Sequence, residues 1–112
     1  MAGISAENFA SRVKQVCDNS KIVVRWVVLS ESNHQVKLRI YLRDRTVASV
    51  YYNDENGKTG FSQLRANERI LGADNATENW HWHPREDPTQ HVPSDHEITF
   101  EEFLGQVEKY VK

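Results

Sequence analysis

QVKLRIYLR, residues 35–43, alternates without a break. Val36, Leu38, Ile40 and Leu42 fall on one side of an extended chain, and Lys37, Arg39, Tyr41 and Arg43 fall on the other. A period of two over this length predicts a β-strand with one buried face and one polar, basic face. Upstream, KIVVRWVVLS (21–30) is β-branched and almost continuously apolar, which predicts a strand covered on both faces. Glu31-Ser32-Asn33-His34 forms the turn between the two. Downstream, Asp44-Arg45 is a short turn and TVASVYY (46–52) the next strand. NDENGK (53–58) reads as a hairpin loop with Gly57 at a left-handed position. TGFSQLRA (59–66) is a fourth strand, and RIL (69–71) extends into a short fifth. Short turns between successive strands predict an antiparallel meander.

Helical spacing frames this block at both ends. Ser5 is placed as an N-cap, with Phe9, Val13, Val16 and Cys17 following on one face, so a helix is predicted over 6–17. Near the other end, Thr99 and Glu102 make a capping box, and Ile98 and Phe103 occupy the hydrophobic-staple positions. Phe100, Phe103, Leu104, Val107, Tyr110 and Val111 form an apolar stripe, so a second helix is predicted over 100–111. The expected architecture is α+β: a single antiparallel β-meander sheet of four or five strands with an N-terminal and a C-terminal helix, in one domain over 1–112.

Composition narrows the class of protein. A single cysteine, Cys17, rules out an intramolecular disulfide framework and fits a reducing compartment. On the apolar helix face it reads as a buried thiol rather than a nucleophile. MAGISAENFASRVKQV lacks a basic head followed by an apolar run, and the longest apolar run is broken by Arg25. A cytoplasmic protein without membrane contact is the expectation. The net charge of -2 conceals an asymmetry: residues 21–45 hold six basic and two acidic residues, whereas 86–112 hold two basic and seven acidic. The basic region can meet a polyanion or pair with the protein's own acidic tail.

Residues 72–97 have no sustained period and hold all three prolines. A segment of that length without its own regular structure points to a role. WHWHPREDPTQHVPSDHE (80–97) carries four of the five histidines. In an extended Trp80-His81-Trp82-His83 both tryptophans face one side and both imidazoles the other. His91 and His96 follow after the chain has turned at Pro84 and Pro88, and all four imidazoles could meet in one pocket. Three readings stay open. Imidazoles with a nearby aspartate can ligate zinc, although the spacing is not one of the tight zinc signatures. They can move protons in phosphodiester cleavage, with Lys37, Arg39 or Arg43 stabilising the developing charge. Or the tryptophans cap the core, the histidines bond loop carbonyls, and nothing is catalysed. His34, alone in a polar turn, is expected to be solvated.

VKLRIYLRDRTVASVYYNDENGKTGF, RILGADNA, HWHP, HVP and ITFEEFL together resemble the TumE-type toxins of prokaryotic toxin–antitoxin pairs, over residues 21–111. This chain departs from the pattern by placing Thr77-Glu78-Asn79 after Asp74-Asn75-Ala76, where relatives continue with Pro-His-His. The resemblance implies a growth-inhibiting toxin held in check by a cognate helix-turn-helix antitoxin. By analogy with other small toxins, its target is RNA. The expectation is a metal-independent endoribonuclease without cofactors. In it His81, His83, His91 and Arg39 are catalytic, and Lys37, Tyr41, Arg43, Asp74 and Asn75 bind substrate. The alternatives are a non-catalytic partner-binding module and a histidine-rich metal-binding protein.

Overall fold

The computed structural model describes residues 3–77 and 79–111. In chain order the elements are α1 (Ala6–Asp18), β1 (Val23–Glu31), β2 (Gln35–Leu42), β3 (Val47–Asn53), β4 (Thr59–Arg65), β5 (Glu68–Asp74), β6 (His81–His83), β7 (Val92–Pro93) and α2 (Phe100–Glu108). The class is α+β with an antiparallel sheet and two helices, as the sequence implied. The strand count differs: the sheet has seven strands in the order β1 to β7, not four or five. Strands β1–β5 are therefore followed by two short strands drawn from the segment that looked irregular. A strand of two or three residues leaves too few positions for a period to register in sequence. What makes β6 and β7 strands is their pairing, His81 with Asp74 and Pro93 with His81.

Both helices pack on the same face of the sheet. There α1 covers β1–β3 and α2 covers β4 and β5. The alternation in β2 holds residue by residue, with Val36, Leu38, Ile40 and Leu42 buried beneath the helices. Phe9 stacks on Tyr52 at 4.3 Å between ring centres. Phe61, at the centre of β4, meets Trp80, Phe100 and Phe103. Trp82 stacks on Phe103, so both tryptophans of the WHWH segment face the helices and both histidines face away. Cys17 is buried in the core, and that burial pushes its thiol up to about 12, which leaves it unreactive.

The helix caps formed as read. Ser5 accepts from the Asn8 N–H and Thr99 from the Glu102 N–H. The Glu102 carboxylate, however, lies 3.0 Å from His96 Nε2. Asp54, in the β3–β4 loop, adds a second acceptor at the start of α1 by taking the Ala6 N–H at 2.9 Å. Helix α2 ends at Glu108 rather than at 111, and Tyr110 lies half exposed under the Arg85 guanidinium instead of joining the apolar stripe.

Strand β1 corrects a second expectation. It is an edge strand, not one covered on both faces. Register shifts between Val23 and Arg25 and between Val28 and Ser30 mark bulges, and Val24 and Leu29 in them are exposed. A bulge breaks the alternation, so an exposed edge strand can carry a continuous apolar run. The β4–β5 connection was also hidden. Ala66 and Asn67 both have positive φ and form a two-residue turn that lacks the usual Asn-Gly signature. Gly57 does take the left-handed conformation expected of it (φ 73°).

Candidate functional site

The face of the sheet away from the helices is laid out in rows by the strand register. One row runs Lys37–Tyr51–Gly60–Asp74–His81–Pro93, from β2 to β7. The row beside it runs Arg39–Ser49–Ser62–Gly72–His83. Each row begins with a basic side chain and reaches an imidazole. Between those ends lie glycines, serines, one tyrosine and one carboxylate, so the middle of the face is shallow.

At the imidazole end three rings close on one another. The His81, His83 and His91 ring centres lie 4.6 to 4.8 Å apart. His81 Nε2 is 3.2 Å from His83 Nε2. Asp74 sits against both, with Oδ1 3.2 Å from His81 Nε2 and Oδ2 2.9 Å from His83 Nε2. His81 and His83 are only 5% and 3% exposed, although they sit on the face without helices. Their cover is the β6–β7 loop, which carries the exposed His91 and is fastened by Arg69, whose guanidinium donates to the Pro88 carbonyl at 3.2 Å. Gly72 makes room for this packing. A Cβ there would stand 2.9 Å from Arg69 Cδ and 3.3 Å from His83 Cδ2. His81 Nδ1 lies 3.2 Å from the Asn79 carbonyl oxygen, whereas His83 Nδ1 is buried without a partner among the described residues.

Two hollows flank the pair of Asp74 and His81. One of about 620 Å³ is lined by Thr77, Asn79, Trp80, His81, His91 and Pro93. The other, of about 460 Å³, lies over Tyr51, Lys58, Gly60 and Asp74. Chemically, this cluster can pass a proton between neighbouring imidazoles or direct several lone pairs at one cation.

The structure thus brings together His81, His83, His91 and Asp74. It leaves the other candidates elsewhere. Arg39 shares the His83 row but stands four strands away, roughly 19 Å at about 4.8 Å per strand. Its Nε is buried without a hydrogen-bond partner among the described residues. Lys37 and Tyr51 lie together on the open face, with the ammonium 5.8 Å from the ring. Tyr41 is covered by the Arg25 guanidinium at 4.3 Å, and Arg43 turns toward the Lys21 carbonyl. Asn75 is tied into the framework: Oδ1 accepts from the Thr59 N–H and Nδ2 donates to the Gly57 carbonyl. His96 does not join the cluster but pairs with Asp95 and Glu102, and His34 pairs with Asp54. Arg69 and Gly72 were missed by sequence reasoning. Nothing local marks a glycine that faces a histidine eleven residues on, or an arginine that pins a loop.

Against known proteins, no family model matches the chain, and neither does any curated protein or solved structure. Among the described residues, no helix is long and apolar enough to cross a membrane.

Proposed function

We propose that the protein binds single-stranded RNA along the open face of the sheet, that the Asp74–His81–His83–His91 cluster is where that RNA is cleaved, and that this is the activity of a toxin. The observation that carries the reading is the pair of cross-strand rows. They join Lys37 and Arg39 to the imidazoles over a floor of small residues. Cations at one end suit phosphates, and Tyr51 in the middle offers a ring on which a base can stack. Arg39 is half-buried at that end of the face, and a guanidinium there suits a phosphate. The toxin assignment and its helix-turn-helix antitoxin rest on the resemblance of residues 21–111 to the TumE-type family.

The test is binding of a fluorescent single-stranded RNA oligomer in EDTA, titrated with salt. Affinity should fall with salt at a slope of about -0.7 per phosphate contacted. Lys37→Ala and Arg39→Ala should each reduce that slope by roughly one contact. No binding at low salt, or a slope indifferent to both changes, would remove the RNA reading. Expression of the wild-type chain should arrest growth, and His91→Gln, at an exposed position, should relieve the arrest without unfolding the protein.

A further inference from the structure

We infer that Asp74, His81, His83 and His91 form a binding site for a divalent transition-metal ion of the zinc class. The inference departs from the metal-free expectation and does not require that RNA bind the open face.

The Asn79 carbonyl can only accept, so its 3.2 Å contact places a hydrogen on His81 Nδ1. In the neutral ring that leaves Nε2 as a bare lone pair. This lone pair faces two neighbours at 3.2 Å, His83 Nε2 and the acceptor Asp74 Oδ1. His83 has one hydrogen to offer at Nε2, and Asp74 Oδ2 already lies 2.9 Å from it. Only with His81 neutral and Asp74 ionised is the lone pair of His81 set against a carboxylate oxygen. A second proton on His81 would satisfy that one line, but a proton bridges two atoms. Here several donor atoms surround one point, which is the arrangement a cation satisfies.

Zinc bound to nitrogen and oxygen at about 2.0–2.1 Å in a tetrahedron requires ligand atoms about 3.3 Å apart. The two imidazole nitrogens are 3.2 Å apart, and the carboxylate oxygens are 3.2 and 2.9 Å from them. The ligand nitrogens of all three histidines lie within 4.8 Å of one another, and His91, exposed on its loop, can close the remaining gap. A metal-bound histidine ordinarily donates its other ring N–H to a carbonyl or carboxylate, which fixes the tautomer. His81 has that partner in Asn79. Trp82, stacked on Phe103, and Gly72, shaped to receive His83, hold the two-histidine strand in place from the other side and from beneath.

The experiment is titration of the full chain, stripped with EDTA, with Zn²⁺ by calorimetry and thermal shift, and with Co²⁺ by visible absorption. One ion per chain, a raised Tm and the intense visible bands of tetrahedral Co²⁺ are expected. His91→Gln and Asp74→Asn should weaken Zn²⁺ by at least the ~10–100-fold seen on losing an outer partner. His34→Gln and His96→Gln, at exposed histidines outside the cluster, should leave it unchanged. A folded wild-type chain that takes up no Zn²⁺ and shows no Co²⁺ bands would overturn the inference. So would binding that persists in His91→Gln and Asp74→Asn but vanishes in His96→Gln. Because RNA binding is measured in EDTA, loss of either activity is told apart from loss of the other.

Discussion

His96 and His81 both sit against carboxylates, yet they belong to opposite kinds of environment. His96 is exposed and shares its two ring nitrogens between Asp95, next to it in sequence, and Glu102, one helical turn into α2. Every ring nitrogen has an acceptor, and the pairing simply trims the start of a helix. His34 behaves alike, with Asp54 bridging it to the Ala6 N–H at the start of α1. His81 is buried, and its Nε2 faces both a second imidazole and a carboxylate at 3.2 Å. The exposed histidines, paired with carboxylates, contribute structure, whereas the buried His81, with an imidazole and a carboxylate at one nitrogen, belongs to the site proposed for a metal ion.

The contrast breaks most severely if the platform under the buried cluster is removed. Phe61 is fully buried and touches Trp80, Phe100 and Phe103, so it supports the tryptophan side of the histidine strand. Phe61→Ala should cost about 3–5 kcal/mol in urea denaturation. Gly72→Ala is gentler on the fold and harsher on the site. The added methyl presses on Arg69 and His83 and should cost about 1–3 kcal/mol. Zn²⁺ uptake should fall more than stability does, a divergence that calorimetry on the folded variant reads directly. Thr99→Ala removes the acceptor for the Glu102 N–H and should cost about 1 kcal/mol without affecting the cluster.

The smallest effect is the pH dependence of the exposed pairs. The Asp54 hydrogen bond raises the His34 pKa above its ordinary value, with Glu55 adding to it, and Asp95 followed by Glu102 does the same for His96. A histidine raised in the folded state stabilises most below its unfolded pKa, and that contribution is lost as pH climbs through the folded one. Asp54, lowered first by the Ala6 N–H and then by His34, and Asp95, lowered by His96, behave oppositely. Their contribution is present above the ordinary carboxylate range and is lost as pH falls through the depressed value. The urea midpoint of metal-free protein should therefore decline slightly between about pH 6 and 8. The decline should vanish in the double variant His34→Gln, His96→Gln. A decline that survives would break the assignment of the pH dependence to these two exposed pairs.

What the sequence determined by itself was everything carried by a local period or a local cap. The alternation of 35–43 assigned buried and open sides to β2. Ser5 and Thr99 marked the helix starts, and Gly57 marked a turn, because each of these depends on neighbours within a few residues. The WHWH alternation also placed both imidazoles on one side. Only the tertiary structure decided what they meet there. Asp74 reaches His81 and His83 through the β5–β6 pairing, and His91 arrives on a loop held by Arg69. Arg39, though on the same open face, is separated from them by three intervening strands. His96, only five residues beyond His91, is drawn away by the start of α2. Strand register sets which residues stand opposite one another across the sheet. It is fixed by packing against the two helices and by turns such as Ala66-Asn67, so spacing along the chain could raise the cluster as one reading but not settle its members.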